Sequence, residues 1–304
     1  MRITNSQTTS ILLDSMTRNN DKLSQLMQQM SSSNRLLHPS DDPIASVSIL
    51  RVQRAEASLT QYGSNISSLS GSLSIQETNL QSTSDTMLDV RDLLLWASNG
   101  SNGKEELSAM AGQLSTLETT LVSYLNVQDE EGRYLFSGTL TDKPAVTFDS
   151  ATGTYSATGN AKTRQAAVAN GVLVDENVAV QPIFGGSMDF LNSLHGLVAK
   201  LQDPALDTTD PTVLQSIKDT MNLLDDSQGK VLSTITDLGG RQNTLTLLDN
   251  SNQDVSLVNQ KIEGDLSALD YGKASIDLNN YKLALQATQK TYVTVNGLSL
   301  FSIL

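Results

Sequence analysis

The sequence predicts a mainly α fold: a long antiparallel coiled-coil helical bundle formed by the N- and C-terminal halves, with a small β-rich inserted domain. Three observations predict it. Leu59 to Ala97 carries an apolar heptad seam. Shorter seams of the same kind lie on either side of a Thr-, Val-, Ala- and Gly-rich middle that lacks the repeat. Aromatic residues make up only 4% of the chain. Compact cores draw much of their buried area from aromatics, so a thin bundle suits this composition better.

The central seam sets the scale. One heptad position reads Leu59, Ile66, Leu73, Leu80, Met87 and Leu94, and the other Tyr62, Leu69, Gln76, Thr83, Val90 and Ala97. Spacings that alternate three and four put one narrow apolar stripe along a helix. At about 1.5 Å per residue the stretch is roughly 60 Å long. It cannot bury its seam alone. Gln76 and Thr83 are polar seam positions, which can fix register at some cost in stability.

The remaining elements follow in order. Residues 1–37 give a looser heptad: Met16, Leu23, Met30 and Leu37, with Leu12 and Leu26 beside it. A helix is expected from about Thr9 to Arg35. Pro39-Ser40-Asp41-Asp42-Pro43 interrupts it, because proline lacks an N–H and clashes with the preceding turn. Asp42 as N-cap, with Pro43 in the first turn, starts the main helix, which runs to about Ser98. Asn102 with Glu105 matches a capping box for a third helix. That helix carries Leu107, Met110, Leu114, Leu117, Leu121 and Tyr124, and is expected to end near Glu130-Glu131-Gly132.

From Arg133 to about Gly186 the heptad disappears. Short β-prone runs are expected at Ala145–Phe148, Gly153–Ala157, Val172–Val174 and Val178–Val180. Helices resume at Met188, with Phe190, Leu191, Leu194, Leu197, Val198 and Leu201 on one stripe. Asp210-Pro211 repeats the cap-and-proline start. The helix after it carries Leu214, Ile217, Met221, Leu224, Val231, Ile235 and Leu238. Gly239-Gly240 marks a kink, a helix end or a close backbone contact, since each glycine costs about 1 kcal/mol against alanine in a helix. A fresh register reads Ile262, Leu266, Leu269, Ile276, Leu283 and Ala287. Val293, Val295, Leu298, Leu300, Phe301, Ile303 and Leu304 carry apolar character to the last residue, which calls for cover by other subunits.

Composition excludes several functions. With no cysteine there is no disulfide or thiolate chemistry. A net charge of -13 argues against binding nucleic acid through its phosphates. The acid is central: residues 1–37 and 273–304 each carry a net +2. No run is long and apolar enough to span a membrane, and residues 1–20 lack the apolar core of a cleaved signal peptide. The two histidines, His38 and His195, stand far apart, and no catalytic, phosphate-loop or metal-binding motif is present. His195 beside an apolar stripe reads as a packing or surface residue. No catalytic, cofactor-binding or metal residue is assigned, no cofactor is expected, and the chain is expected not to be an enzyme.

Several motifs carry a resemblance. Met1-Arg2-Ile3-Thr4, Pro39-Ser40-Asp41-Asp42-Pro43-Ile44-Ala45, Gln61-Tyr62-Gly63-Ser64-Asn65-Ile66, Gly132-Arg133-Tyr134-Leu135-Phe136-Ser137-Gly138-Thr139, Leu238-Gly239-Gly240-Arg241-Gln242-Asn243 and the ending Leu298 to Leu304 resemble the flagellin superfamily of bacteria. Within it they are most similar to the hook–filament junction family, the third of the hook-associated proteins. The resemblance spans both helical halves; inside the insertion only the leading motif matches.

The resemblance implies an extracellular flagellar subunit, exported through the type III apparatus without a cleaved signal peptide, that joins the hook to the filament. It implies a homo-oligomeric ring. Its neighbours would be another hook-associated protein on the hook side and flagellin on the filament side. Before secretion a cytoplasmic export chaperone would hold the chain. No nucleic acid or membrane is expected as partner. The expected division is 1–40 with 270–304 as a terminal polymerisation domain, 41–137 with 188–269 as a rod, and 138–187 as the insertion. The polymerisation interface would comprise Ile3, Ile11, Leu12, Met16, Leu23, Met30, Leu283, Leu285, Leu298, Leu300, Phe301, Ile303 and Leu304. The family turn and motif residues are Pro39, Ser40, Asp41, Asp42, Pro43, Phe136, Gly138, Gly239 and Arg241. A minor flagellin, or a type III secreted coiled-coil protein that binds partners through its rod, stay open as alternatives.

Overall fold

The computed structural model describes the backbone of residues 2–301 and the side chains of residues 6–295. Among these, seven helices and four short strands appear in the order α1 (Arg2–Ser32), α2 (Pro43–Ala97), α3 (Lys104–Leu125), β1 (Val146–Asp149), β2 (Thr154–Ala157), β3 (Gln165–Ala169), β4 (Val172–Asp175), α4 (Val180–Phe184), α5 (Asp189–Leu201), α6 (Pro211–Ser267) and α7 (Tyr271–Phe301). The chain is mainly helical, with two small antiparallel sheets, β1–β2 and β3–β4. It divides into two compact units: residues 1–58 with 254–304, and residues 59–253.

The unit of residues 59–253 holds the core. On α2, ten of the twelve seam positions are buried, and Leu59 and Tyr62 are half-buried. Facing them, α6 buries Ile217, Leu224, Val231, Leu238 and Leu245, one every seven residues. α3 and α5 pack on each other and close the bundle with Leu114, Leu121, Phe190, Leu194 and Leu201. Knobs repeated every seven residues on adjacent helices are coiled-coil packing. Leu214 was expected on this seam but lies at the exposed edge.

The polar seam residue Gln76 is fully satisfied. Its Oε1 accepts from the Val178 N–H at 2.8 Å, and its Nε2 donates to the Glu176 carbonyl at 2.9 Å. The heptad is thus interrupted where the insertion returns its backbone to the bundle. Two asparagines do related work: Asn65 Nδ2 on α2 donates to the Ala167 carbonyl at 2.7 Å, and Asn252 Nδ2 on α6 to the Val168 carbonyl at 3.1 Å. The β3–β4 hairpin is held by side-chain amides bonding its backbone.

Several boundaries differ from expectation. α3 stops at Leu125, five residues before Glu130, because Asn126 turns into the insertion and bonds the backbone N–H and carbonyl of Val146 at 2.9 and 2.8 Å. The Asn102–Glu105 capping box does not form. Gly103 is the N-cap, with no side-chain bond, and Asn102 Nδ2 donates back to the Trp96 carbonyl at 2.6 Å. Val178–Val180 is not a strand; Ala179 makes a single bridge to Ser137 and Val180 opens α4. β3, rich in alanine, has little β propensity and was not expected. α1 begins at Arg2, not near Thr9. α6 runs unbroken through Gly239-Gly240, and a methyl group on either would meet nothing within 4 Å. The break comes instead at 268–270, inside the register read from Ile262 to Ala287.

Candidate assembly site

The unit of residues 1–58 and 254–304 is built differently. α1 packs along α7, yet only Leu26, Ala45 and Ala274 among its described apolar side chains are buried. Leu12, Met16, Leu23 and Met30 of the N-terminal heptad are half-buried. On α7 the half-buried positions include Leu278, Tyr281, Leu285 and Tyr292, in step with buried Ala274. The Ile276, Leu283 and Ala287 register was expected to be the seam, and it is exposed. Alanine and tyrosine share the inner seam with Leu278 and Leu285, and the register read from Ile276, Leu283 and Ala287 picked the other face.

The expected interface residues therefore fall in three groups. Leu12, Met16, Leu23, Met30 and Leu285 are half-buried. Ile11 and Leu283 are 63% and 64% exposed. The side chains of Ile3, Leu298, Leu300, Phe301, Ile303 and Leu304 lie outside the described residues. Sequence reasoning missed a further set of exposed apolar side chains: Ile44, Val47 and Leu50 on α2, and Val255, Leu257, Val258 and Ile262 on α6.

Where α1 meets α2, two chain interruptions, 33–42 and 268–270, are stitched together. The Arg35 N–H donates to the Ser267 carbonyl at 2.8 Å, and the Leu269 N–H to the Ser33 carbonyl at 3.1 Å. Asn34 and Ala268 form an antiparallel bridge between them. Arg35 then binds both sides: Nη2 donates to the Leu266 carbonyl at 3.1 Å and Nη1 to Asp42 Oδ2 at 3.1 Å. Tyr271 Oη donates to the Met30 carbonyl at 2.9 Å and contacts Ser33 Oγ at 2.7 Å. Ser33 holds a left-handed backbone, φ 61°, which non-glycine residues seldom adopt; its hydroxyl contact with Tyr271 accompanies that turn.

The family turn explains itself in these terms. Asp42 caps α2, accepting from the Ala45 N–H at 3.1 Å, and Pro43 needs no acceptor in the first turn. Asp41 Oδ2 accepts from the N–H groups of Leu37 and His38, both at 2.9 Å. Both carboxyls are held below the usual aspartate range: Asp41 by the His38 and Leu37 amides, Asp42 by the Ala45 amide and then by Arg35. Pro39 and Ser40 sit in the exposed turn before them. These aspartates serve as turn and cap acceptors.

The other motif residues lie in the second unit. Phe136 is buried, and its carbonyl accepts from the Val180 N–H at 3.0 Å. Gly138 has φ 73°, and a Cβ there would collide with the Asn160 backbone. Gly159 makes the reciprocal approach: its Cβ would stand 2.7 Å from Ser137 Cα. Arg241 reaches across to the insertion, Nη1 donating to the Asp175 carbonyl at 3.2 Å while Nη2 pairs with Asp237 at 2.5 Å. Beside it Gln242 donates to Glu77 Oε2 at 2.8 Å. The structure assigns no such contact to Gly239, which faces open space.

His195 proves more than packing. Its Nδ1 lies 2.8 Å from Glu118 Oε1, which also accepts from Tyr155 Oη at 2.7 Å. Glu118 is buried and its Oε2 has no partner. Burial first, and then the bond to Glu118, push the Tyr155 phenol well above its ordinary range. The cluster, with Phe148 tilted against both rings at 4.8 and 4.9 Å between centroids, pins β2 to α3 and α5. Among the described residues no group of three or more acidic or histidine side chains could hold a metal. No described helix is long and apolar enough to cross a membrane.

A sparsely packed terminal helix pair with a stitched elbow in one unit, and a well-packed bundle with a small β insertion in the other, define a flagellin-like chain. The sequence profile of the bacterial flagellin N-terminal helical region matches residues 3–141. Flagellar hook-associated protein 3 of Escherichia coli (strain K12) is 25% identical over 290 residues, covering 91% of each chain. The solved structure of a protein described as flagellar hook-associated, from Vibrio parahaemolyticus, is 37% identical. It superposes with a TM-score of 0.69 over 75% of this chain and 100% of its own. Hook-associated protein 3 from Legionella pneumophila, at 15% identity, shares the fold with a TM-score of 0.66 over 72% of this chain and 98% of its own. The chain belongs to the hook-associated protein 3 family of the flagellin superfamily, and that membership carries a flagellar structural role.

Proposed function

We propose that this chain is the adaptor that joins the flagellar hook to the flagellin filament, assembling with its own copies into a ring through its terminal helices. The observation that carries the reading is the contrast between the two units. Residues 59–253 bury a continuous core, whereas the terminal unit leaves Ile11, Ile276, Leu283 and Val293 in water. Contiguous apolar stripes on a helix pair need a partner, and helices so little buried gain most of their order from association. On this reading residues 1–40 and 270–304 form the polymerisation domain, 41–137 and 188–269 the rod, and 138–187 an insertion. Ile3, Leu298, Leu300, Phe301, Ile303 and Leu304 add to the apolar interface. The adjoining rings would be another hook-associated protein and flagellin. An export chaperone would shield the C-terminal region in the cytoplasm before secretion.

The test is a strain lacking the gene. Loss should leave hooks in place and flagellin secreted as soluble monomer, with the filament restored by the wild-type chain. A strain that still grows filaments sinks the proposal and favours a minor filament subunit.

A further inference from the structure

The first and last parts of α2 carry two exposed faces of opposite charge. Near its C-terminal end, Asp85, Leu88, Asp89, Asp92, Leu95 and Trp96 recur at spacings of three and four, so they share one face. All six are exposed, Trp96 by 64%. No basic residue stands on that face; nearby Arg91 is turned to Asp225 at 2.9 Å. Leu93, Gln113, Thr116 and Leu117 complete a groove of about 560 Å³ beside Trp96. At the start of α2, Ile44, Val47, Leu50, Arg51 and Arg54 recur in the same way, all exposed, Ile44 by 82%. That face carries no acidic residue.

We infer that the acidic, Trp96-bearing face of one copy receives the basic Ile44–Arg54 face of a second copy. The inference rests on the reading of the chain as an assembling subunit and names the chemistry of one of its contacts. Each face pairs three large apolar side chains with charges of a single sign. An exposed tryptophan in an apolar groove with charged flanks is the composition of an interface centre, since Trp and Arg are over-represented where contacts carry binding energy. The matched charges favour this pairing over either face meeting itself, because like charges brought together cost several kcal/mol. The contact is heterologous: one surface of each copy meets a different surface of the next. Such contacts close into a ring when the rotation between copies permits.

The chain offers clean reporters, having no cysteine and one tryptophan. Full-length Val47→Cys and Leu95→Cys variants are mixed and oxidised. The mixed disulfide dimer is expected to dominate over either homodimer. Arg51→Glu/Arg54→Glu on the first partner should lower its yield about tenfold, and Asp89→Arg/Asp92→Arg on the second should restore it. Trp96 emission of the cysteine-free chain should shift to the blue as concentration rises, and should not do so in the Arg51→Glu/Arg54→Glu variant. Homodimers that dominate overturn the inference. So does a mixed yield indifferent to charge reversal, or a Trp96 spectrum that shifts equally in the reversed variant. Filament growth by the same variants in the deletion strain separates the two readings. If wild type restores filaments while cross-linking ignores charge, the contact is wrong and the adaptor role stands.

Discussion

Gln76 and Val178, 102 residues apart in sequence, meet in a buried hydrogen bond of 2.8 Å between a seam side chain and the backbone that leaves the insertion. The amide also serves the part-buried Glu176 carbonyl, so one polar heptad position satisfies two backbone groups, the Val178 N–H among them fully buried. Replacing Gln76 with leucine restores an apolar heptad and orphans both. Each unsatisfied buried group costs about 1–3 kcal/mol, more than the added leucine burial returns. Urea unfolding of Gln76→Leu should show a loss of about 2–4 kcal/mol; a neutral or stabilised variant would contradict this account.

The two motif glycines should respond in opposite directions. Gly138→Ala drives a Cβ into the Asn160 backbone at a positive φ and should destabilise the insertion by several kcal/mol, with early proteolytic cleavage between residues 138 and 187. Gly239→Ala, with nothing within 4 Å on an unbroken helix, should raise subunit stability by about 0.5–1 kcal/mol. Thermal melts of both variants decide it.

The elbow should loosen in acid. Backbone amides hold the Asp41 carboxyl, and the Ala45 amide with Arg35 the Asp42 carboxyl, below the ordinary aspartate range. Groups with depressed pKa values stabilise the fold fully above their unfolded pKa, and that stability is lost as pH falls through the folded value. Amide exchange at residues 35–46 should therefore be level from pH 7 to about 4 once corrected for intrinsic rates, and rise below that. In Asp41→Asn/Asp42→Asn the pH-linked rise should vanish.

Tyr155→Phe removes one of the two partners of buried Glu118 Oε1, leaving a carboxyl whose other oxygen already has none. The expected cost is about 1–3 kcal/mol. It should be local: exchange should quicken in β1 and β2, not along α2 and α6. Uniform destabilisation would show that the cluster belongs to the global core.

Removing Val293 to Leu304 should leave the melting of residues 59–253 unchanged, since the buried cluster there includes none of them, while assembly is lost. In the dilute full-length subunit, residues 6–32 and 271–295 should exchange quickly, and Leu73–Leu94 slowly. Strong protection of the terminal pair in dilute solution would count against ordering on assembly.

Much of this architecture was legible because periodicity reports on burial. The α2 seam predicted its buried face almost residue by residue, since a seven-residue repeat over six heptads has one geometric solution. Asp42-Pro43 and Asp210-Pro211 marked helix starts because a side-chain acceptor and a missing N–H act locally. What failed was non-local. Asn102 looked like a cap, but the Trp96 carbonyl claims it. β3 is alanine-rich, and asparagines on two distant helices hold it. The elbow partners Arg35 and Tyr271 left no motif, because the bonds that reach across the chain go to the Leu266 and Met30 carbonyls, which any residue could supply. On α7 Ala274, Tyr281 and Tyr292 share the inner seam with Leu278 and Leu285, so the register through Ile276 and Leu283 pointed outward. His195 read as bland because its partner, Glu118, sits 77 residues away.

The stitched elbow has a mechanical consequence. Its strap is an antiparallel bridge, with Arg35 bonded to Ser267 and Leu269 to Ser33. Tension drawn along the two antiparallel segments would load these bonds side by side, in shear, so they must yield together and not one after another. Bonds that yield together withstand a sudden pull better than bonds that open in turn, so the clasp between residues 33–35 and 267–269 is the firm point of an otherwise thinly packed unit.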